Sequence, residues 1–278
     1  MTKLLEGKPI AERIKEEIKK QIQLLGRSPV LASILVGDNA GAQSYVRSQK
    51  KTAESLGITY QLQELKEDVS EAALIEFIQS QNCDEKVDGV IIQMPLPAHI
   101  DYKKISRFIL PEKDVEGMHP ASIGKIIFGE VNIAPCTPAA VMELLKESGV
   151  DLYGREVVVV GHSEIVGKPL ALLLLDKFAT VTVCHIATSK AGKLQEHVGR
   201  AEVLIVAVGR PGVIKGEWVK EGAVVIDVGI NRVDGKIVGD VEFEEAQKRA
   251  SYITPVPGGV GPLTVTILMR NLVEAAKA

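Results

Sequence analysis

The first half of the chain begins with a helical pattern of apolar residues. Isoleucines recur every four residues from Ile10 to Ile22, with Lys and Glu filling the positions between them. This spacing predicts an amphipathic helix over residues 9–25. One face of such a helix is apolar, so we expect it to pack against the core of a folded domain.

Three runs of strand-like composition follow this helix. They are VLASILVG at 30–37, TYQLQEL at 59–65 and GVIIQMPLP at 89–97, and the segments at 40–57 and 70–82 between them have helical patterns. Strands that alternate with helices, and that are apolar along most of their length, are typical of a parallel α/β sheet.

A segment rich in Pro, Gly and charge, residues 98–136, interrupts this alternation. Thr137 and Pro138 then have the residue types of a helix N-cap and first helical position, so a helix that connects two domains is predicted from there to Gly149. Strand-like runs resume after it and predict a doubly wound domain. These runs are 155–161, 179–185, 201–209, 223–229 and 250–256.

The chain is therefore predicted to form two α/β domains with a cleft between them. Its 278 residues are enough for two domains. We expect an N-terminal α/β substrate domain over 1–140 and a Rossmann-like, doubly wound dinucleotide-binding domain over 141–263. The last segment, 264–278, is predicted to be a helix that returns to the first domain.

The composition is typical of a soluble globular protein, with 46% hydrophobic and 25% charged residues. The net charge of -3 and the lack of a basic block argue against a nucleic-acid partner. The longest apolar runs fall far short of the roughly 20 residues that span a bilayer, and residues 1–10 lack the apolar segment of a secretory signal. We expect a cytoplasmic protein without membrane association.

The cysteines and histidines predict no metal site. Cys83, Cys136 and Cys184 lie more than 40 residues apart, which fits neither a disulfide framework nor a zinc site. The five histidines show no spacing such as His-x-x-x-His. We therefore expect reduced, mostly buried thiols, and no nucleophilic role for Cys136.

A glycine-bounded turn from Gly161 to Gly167 follows the strand EVVVV and leads into an apolar helix. The backbone N–H groups and the dipole at such a helix N-terminus suit a pyrophosphate. Ser163 stands where the usual motif has its middle glycine, so the pattern alone is equally compatible with a tight turn of no function. His162 either covers the nucleotide or faces solvent.

The choice of nucleotide is usually visible about 20 residues after this turn, where NAD enzymes place an Asp or Glu against the ribose hydroxyl. This chain has no acid there. The segment from His185 to Lys190 offers hydroxyls and an ammonium group instead, which favours NADP. NAD remains possible because no Arg is evident in that segment to bind the 2′-phosphate.

Several motifs together resemble those of the bacterial methylenetetrahydrofolate dehydrogenase/methenyltetrahydrofolate cyclohydrolase family, the FolD proteins. The most specific are PEKDVEG at 111–117 and ITPVPGGVGP at 253–262, and the resemblance extends over essentially the whole chain. It implies oxidation of 5,10-methylenetetrahydrofolate with NADP and hydration of the product to 10-formyltetrahydrofolate. It also implies tetrahydrofolate one-carbon derivatives as ligands and a homodimer joined through the second domains.

The same resemblance places the chemistry on a Tyr-x-x-x-Lys pattern and on a glutamine that ends a strand. Tyr45 and Gln93 match, but the lysine position is Gln49. Lys50 lies about 140° around a helix from Tyr45, so it does not share that face. An amide exchanges no proton near pH 7. We therefore expect an active dehydrogenase whose cyclohydrolase activity is weak or lost.

The resemblance also implies the remaining ligand contacts. Glu116 stands where the family has an Asp that hydrogen-bonds the pterin, so the catalytic set is Tyr45, Gln49, Gln93 and Glu116. Besides Tyr45, the predicted substrate-binding residues are Ile92, Gln93, Met94, Glu116, Pro257, Gly258 and Gly259. The predicted cofactor-binding residues are Gly161, His162, Ser163, Gly167 and Ile230.

Two other functions remain open. In the first, the enzyme is fully bifunctional because Lys50 or a chain of water molecules replaces the missing lysine. In the second, the protein binds folate or a dinucleotide without catalysis.

Overall fold

The structure is a computed structural model that describes residues 2–277, so Met1, the start of the predicted domain 1–140, and Ala278, the end of the predicted helix 264–278, lie outside the described residues. Its strands, numbered in chain order, are β1 (Lys3–Leu4), β2 (Val30–Val36), β3 (Thr59–Leu65), β4 (Gly89–Ile92), β5 (Glu156–Val160), β6 (Thr180–Cys184), β7 (Val203–Val206), β8 (Val224–Asp227), β9 (Asn231–Val233), β10 (Lys236–Val238) and β11 (Tyr252–Ile253).

The helices are numbered in the same way. They are α1 (Gly7–Leu25), α2 (Ala40–Leu56), α3 (Glu71–Cys83), α4 (Tyr102–Ile105), α5 (Pro120–Ile127), α6 (Cys136–Ser148), α7 (Gly167–Leu175), α8 (Ile186–Lys190), α9 (Leu194–Arg200), α10 (Phe243–Arg249) and α11 (Val260–Ala275). Among the residues from 2 to 277, no helix has the length and apolar character needed to cross a membrane.

Contacts divide the chain into two compact units. The three-stranded unit comprises Arg13–Cys136 and the chain from Val265 onward, and the six-stranded unit comprises the chain up to Glu12 and Thr137–Thr264. Residues up to Glu12 thus group with the later strands, although they stand first in the sequence. The domain limits 1–140 and 141–263 stay predictions.

The three-stranded unit contains a parallel sheet in the order β3-β2-β4. The central strand β2 is buried along almost its whole length, which explains why its residues are apolar apart from Ser33. The predicted third strand, 89–97, is longer than the observed one, because β4 ends at Ile92. Pro95 and Pro97 lie three and five residues beyond this end, and proline has no N–H with which to continue a ladder.

Residues 98–136, which interrupt the alternation of strands and helices, contain the short helices α4 and α5. One prediction for the middle of the chain is wrong. The connecting helix α6 begins at Cys136, so Thr137 lies inside its first turn and is not its N-cap. Proline is tolerated in that turn because the first N–H groups of a helix have no partner within the helix.

The six-stranded unit contains a fully parallel sheet in the order β1-β11-β8-β7-β5-β6. The chain runs from β5 to β6 on one side and then to β7 on the other side of β5. The topological switch point therefore lies between the carboxyl ends of β5 and β7. This topology confirms the predicted two-domain α/β class with a doubly wound, Rossmann-like sheet.

The last helix, α11, begins at Val260, four residues before the predicted start. The part of the chain that leads out of α11 is tied to the three-stranded unit by Arg27. Its guanidinium binds both carboxylate oxygens of Asp88, at 2.8 and 2.6 Å, and donates to the carbonyl of Ala276 at 3.1 Å.

Candidate active site

A buried network of polar side chains lies at the centre of the three-stranded unit. Gln93 follows β4 directly, and Gln49 lies on α2. Gln93 Nε2 donates to Gln49 Oε1 at 2.7 Å, and Gln49 Nε2 donates back to Gln93 Oε1 at 3.4 Å. Each side-chain amide thus donates one hydrogen bond to the other and accepts one from it. This mutual pairing brings together two residues that are 44 positions apart in the sequence.

Two hydroxyl groups extend the network. Gln93 Nε2 also donates to Ser33 Oγ at 3.0 Å, and the Tyr60 hydroxyl donates to Gln49 Oε1 at 3.0 Å while lying 2.8 Å from Ser33 Oγ. Burial raises the pKa of Tyr60 to about 12. The groups of this network are amides, an aliphatic hydroxyl and a phenol that stays neutral, so none of them exchanges a proton readily near pH 7.

The predicted neighbours on α2 are more exposed. Tyr45, one turn before Gln49, has 55% of its surface exposed, whereas Gln49 has 6%. Its ring is therefore available to a ligand. Lys50, the next residue after the buried Gln49, is exposed, because successive side chains leave a helix about 100° apart. The structure thus brings Gln49 and Gln93 into contact and does not place Lys50 in their network.

The residues around β4 differ in their access to a ligand. The side chain of Ile92 is buried in the apolar core, with 1% exposed, so it can meet a ligand only through its backbone. Met94 is 41% exposed. Asp114 pairs with Val90 of β4 in an isolated parallel bridge, and the chain then turns, with the Gly117 N–H donating to the Asp114 carbonyl at 3.4 Å. Glu116 lies within this turn.

Asp114 has a structural role. Its carboxylate is buried and accepts hydrogen bonds from the His119 N–H and the Ser122 hydroxyl, both at 2.7 Å. These bonds join the 111–117 segment to the start of α5. The charge on Asp114 also raises the pKa of the nearby Glu116.

Glu116 is held as a neutral acid at pH 7. Removal from water, followed by repulsion from Asp114, raises its pKa to about 8, although a hydrogen bond with Tyr102 acts in the opposite direction. A protonated carboxyl can donate a hydrogen bond as well as accept one. Burial and the charge of Glu116 raise the pKa of Tyr102 in turn.

Tyr102 is a residue that sequence reasoning missed. It lies on α4, in the segment 98–136 that is rich in Pro, Gly and charge, and its pairing with Glu116 has no signature in the sequence. Cys136 is close to the same acids, and burial raises its pKa well above the ordinary value. The thiol therefore stays protonated, in agreement with a packing role.

In the six-stranded unit, the turn after β5 is closed by tight backbone approaches. A Cβ on Gly161, whose φ is +131°, would lie 2.3 Å from the Ala207 carbonyl oxygen, and a Cβ on Gly167 would lie 2.0 Å from the Gly161 carbonyl oxygen. Both positions therefore require glycine. Ser163, at the middle position of the motif, accepts a hydrogen bond from the Val166 N–H at 3.1 Å and so helps to close the turn.

This turn forms one wall of a cavity of about 320 Å³. His162 and His185 both line it, with ring centroids 5.1 Å apart. Other polar groups that line the cavity are Ser163, Ser189 and Arg210. Among the described residues that line it there is no carboxylate.

Arg210 is a lining residue that sequence reasoning missed. The segment from His185 to Lys190 has no arginine, as expected, and Arg210 lies instead in the loop after β7. The switch point brings that loop beside the Gly161 turn. The strand order of a doubly wound sheet is therefore the signal that would have pointed to Arg210.

The remaining predicted residues also lie in the six-stranded unit. Ile230 follows β8 and is 57% exposed. Pro257 is exposed, and the carbonyl of Gly258 accepts a hydrogen bond from the Gly7 N–H at 2.8 Å. Gly259 is buried against Gly7 and Thr254. The side chains of Ile230 and Pro257 are thus accessible to a ligand, whereas the two glycines have only backbone atoms with which to contact one.

Comparison with protein families matches both units. The model described as "Tetrahydrofolate dehydrogenase/cyclohydrolase, catalytic domain" matches residues 5–116, and "Tetrahydrofolate dehydrogenase/cyclohydrolase, NAD(P)-binding domain" matches residues 135–278. The chain belongs to the tetrahydrofolate dehydrogenase/cyclohydrolase family. The first match contains the Gln49–Gln93 pair and the second contains the Gly161 turn. Membership confirms the resemblance seen in the motifs and makes the chain an enzyme of tetrahydrofolate one-carbon chemistry.

Relatives in this family are similar over their whole length. "Bifunctional protein FolD" of Bacillus pumilus (strain SAFR-032) is 50% identical over 278 residues, which are 99% of this chain and 97% of the relative. That of Bacillus subtilis (strain 168) is 48% identical over 278 residues, with the same coverage.

Solved structures of family members are also similar to this one. The bifunctional FolD enzyme of Campylobacter jejuni has a TM-score of 0.96 and 45% identity, covering 100% of this chain and 99% of its own. The FolD enzyme of Trypanosoma brucei, complexed with NADP cofactor and inhibitor, has a TM-score of 0.94 and 40% identity, covering 99% and 97%.

Proposed function

We propose that this protein oxidises 5,10-methylenetetrahydrofolate to 5,10-methenyltetrahydrofolate with NADP, and that it is a poor cyclohydrolase. The observation that carries this proposal is the closed amide pair of Gln49 and Gln93. In the family pattern, position 49 is the lysine that exchanges protons. In this chain it holds an amide that is satisfied by its neighbours.

The oxidation needs positioning more than acid–base power. Its product is a cation whose formation requires no strong base, so the main task is to hold the methylene carbon in a reactive geometry. NADP supplies the acceptor for the hydride when it is bound. The exposed ring of Tyr45 offers a surface to the pterin, and Gln93 and the neutral Glu116 offer hydrogen-bonding groups.

Hydration makes a different demand. A water molecule must lose a proton and a ring nitrogen must gain one, which calls for a side chain that titrates near neutral pH. Gln49 does not titrate, and Tyr60 holds its proton too tightly because its pKa is raised to about 12. Proton transfer by a positioned group contributes roughly 10²–10⁴-fold to a rate. We expect the hydration rate to be lowered by a factor in that range.

The cavity beside the Gly161 turn supports NADP as the nucleotide. Gly161 and Gly167 leave no room for a Cβ, as expected where a backbone turn must pack closely beneath a pyrophosphate. Arg210 and two imidazoles line the cavity without a carboxylate to bind a free ribose hydroxyl. The Trypanosoma brucei relative was solved with NADP. NAD remains the alternative nucleotide.

A fully bifunctional enzyme is the second candidate. The relatives are named bifunctional proteins, and Glu116 has a pKa raised to about 8, which is near the value best suited to proton transfer at neutral pH. In that case Glu116 performs the proton transfer that the lysine performs elsewhere in the family.

Two rates measured on the same preparation distinguish these functions. The first is reduction of NADP or NAD with methylenetetrahydrofolate, and the second is hydrolysis of preformed methenyltetrahydrofolate. A dehydrogenase rate with hydrolysis close to the uncatalysed rate supports the proposal, and hydrolysis as fast as in the Bacillus relatives contradicts it. Loss of that hydrolysis in Glu116→Gln, but not in Lys50→Gln, would assign it to Glu116.

The remaining expectations stay predictions. We propose a cytoplasmic homodimer joined through the second domains, on the family resemblance alone. Light scattering coupled to gel filtration tests the dimer, since the chain has a mass of 30.0 kDa and a dimer has twice that mass.

A further inference from the structure

Asp240 is a fully buried carboxylate at the end of the six-stranded sheet. Its Oδ2 accepts hydrogen bonds from the N–H groups of Val208 and Gly209, at 2.7 and 2.9 Å. Its Oδ1 accepts from the N–H of Arg210 at 2.8 Å and from the side-chain amide of Asn231 at 2.9 Å. One carboxylate thus binds three successive backbone N–H groups of a single loop.

That loop, residues 207–210, is here called the switch-point loop, because it leaves β7 beside the Gly161 turn. Ala207, Val208 and Arg210 line the same cavity as the turn. Three consecutive N–H groups that point the same way form a concavity that binds anions. In this protein the concavity is filled by the chain's own Asp240, so the backbone of the loop is held in place while its side chains face the cavity.

A second buried carboxylate, Asp227, holds Asp240 in turn. Asp227 lies at the end of β8 and accepts hydrogen bonds from the N–H groups of Gly229, Asp240 and Val241, at 2.9, 3.0 and 2.9 Å. The packing is tight, because a Cβ on Gly239 would lie 2.0 Å from Asp227 Oδ2. The two carboxylates therefore connect β8 to the switch-point loop through hydrogen bonds, and the tight packing leaves neither side chain room to move.

The free-energy cost of burying these carboxylates suggests that Asp240 has a function beyond packing. Burial of an ionised carboxylate is expensive unless it is fully hydrogen-bonded. The four donors to Asp240 are neutral amides, and together they fix a loop that lines the nucleotide cavity. We propose that Asp240 is a positioning residue for nucleotide binding, which orders the switch-point loop so that Arg210 faces the bound nucleotide. This inference rests on the proposed function in that the nucleotide is NADP.

The Asp240→Asn variant tests this role. The amide has nearly the same shape but only one acceptor oxygen, and its NH₂ group would face N–H donors. Loss of hydrogen bonds to a charged acceptor weakens the ordered loop, so the Kd for NADP measured by calorimetry should rise roughly ten- to hundredfold. The KM for methylenetetrahydrofolate should change by less than about twofold, because the carboxylate of Asp240 bonds to none of the predicted substrate-binding residues.

The matched control is Glu244→Gln, which removes an equal charge from an exposed position four residues away. It should leave both constants unchanged. A lowered melting temperature in Asp240→Asn with an unchanged Kd for NADP would mean a merely structural role and would overturn the proposal. Calorimetry measures binding without turnover. If the wild-type protein binds NADP but does not oxidise methylenetetrahydrofolate, only the proposed function is contradicted, and the role of Asp240 can still be tested.

Arg210→Gln keeps the inference testable if Asp240→Asn does not fold. Arg210 is exposed, so its replacement should not change the melting temperature, while the Kd for NADP should rise about tenfold or more. An unchanged Kd in this variant also overturns the proposal. If both single variants fold, the double variant should bind no more weakly than Asp240→Asn, since Asp240 is proposed to act through Arg210.

Discussion

Gln93 and Gln49 face each other as a reciprocal amide pair, with Gln93 Nε2 2.7 Å from Gln49 Oε1. The pair is 4% and 6% exposed, so its hydrogen bonds are made with the protein and not with solvent. An isolated glutamine substituted for a lysine in a buried site would leave polar atoms without partners. Here the surrounding groups complete the hydrogen bonds of the amide, and position 49 is a stable part of the fold.

Gln49→Lys should create or strengthen the hydrolysis of methenyltetrahydrofolate. The new ammonium group, in the middle of α2, would find Gln93 Oε1 and the Tyr60 oxygen as acceptors. Burial lowers the pKa of a lysine toward neutrality, which suits proton exchange. The expected gain is roughly 10²–10⁴-fold in the hydrolysis rate, measured by the loss of methenyltetrahydrofolate absorbance.

The control for that variant is Lys51→Gln, an exchange of the same two residue types at an exposed position of the same helix. It should change neither rate. A Gln49→Lys protein that folds, oxidises methylenetetrahydrofolate at the wild-type rate and hydrolyses no faster than wild type would show that position 49 does not limit hydration.

Tyr60→Phe should weaken the fold without affecting the chemistry. The variant removes a hydroxyl that donates to Gln49 Oε1, but that oxygen keeps its bond from Gln93. The expected loss is about 1 kcal/mol in the free energy of unfolding, measured with urea. Tyr153→Phe, at a position that is 72% exposed, should cost nothing measurable. Loss of dehydrogenase activity in Tyr60→Phe would instead place the phenol in the reaction.

The raised pKa of Glu116 predicts how the free energy of unfolding depends on pH. Below its ordinary value of 4.5 the carboxyl is protonated in both the folded and the unfolded chain. Between 4.5 and about 8 only the unfolded chain releases the proton, so the folded state loses stability as the pH rises, by up to about 1.4 kcal/mol per pH unit. Above that range both states are ionised and this contribution becomes constant.

Glu116→Gln removes this dependence. Its free energy of unfolding should fall less steeply than that of the wild type between pH 5 and 8, as followed by urea titration at several pH values. Glu112→Gln, an exposed carboxylate in the same segment, should keep the wild-type slope. Equal slopes in all three proteins would mean that Glu116 is ionised at neutral pH.

The sequence predicted the sheets well because their strands carry their own signal. The runs at 30–36 and 156–160 are apolar apart from Ser33 and Glu156 and are buried almost throughout, so their composition identifies them. The two-residue strands at 3–4 and 252–253 are too short for any period to appear, and the first was missed. The motifs also identified the family, because they extend over the whole chain and their residue types are those of the family's functional sites.

The parts that were missed depend on contacts between distant residues. The bond between Tyr102 and Glu116 joins a short helix to a loop, and no periodicity marks either residue. Arg210 reaches the cavity of the Gly161 turn only because the sheet reverses its strand order. The burial of Asp240 has no signal in the sequence, and only the folded loop shows its four donors.

Gly161→Ala should abolish nucleotide binding while sparing the three-stranded unit. The added Cβ would lie 2.3 Å from the Ala207 oxygen, so the turn and the switch-point loop would have to separate. Gly222→Ala is the matched control, since Gly222 also has a positive φ, of +78°, but no atom within 4 Å of an added Cβ. Both variants incur the backbone strain of a positive φ, roughly 1–2 kcal/mol, and only Gly161→Ala incurs the clash.

Calorimetry with NADP separates the two effects. Gly222→Ala should bind with the wild-type Kd despite a lower melting temperature, whereas Gly161→Ala should show at least a hundredfold weaker binding, because it distorts the backbone turn on which we propose that the pyrophosphate rests. Hydrolysis of methenyltetrahydrofolate, which needs no nucleotide, should be the same in both variants. Tight binding of NADP by Gly161→Ala would place the nucleotide elsewhere than in the cavity beside this turn.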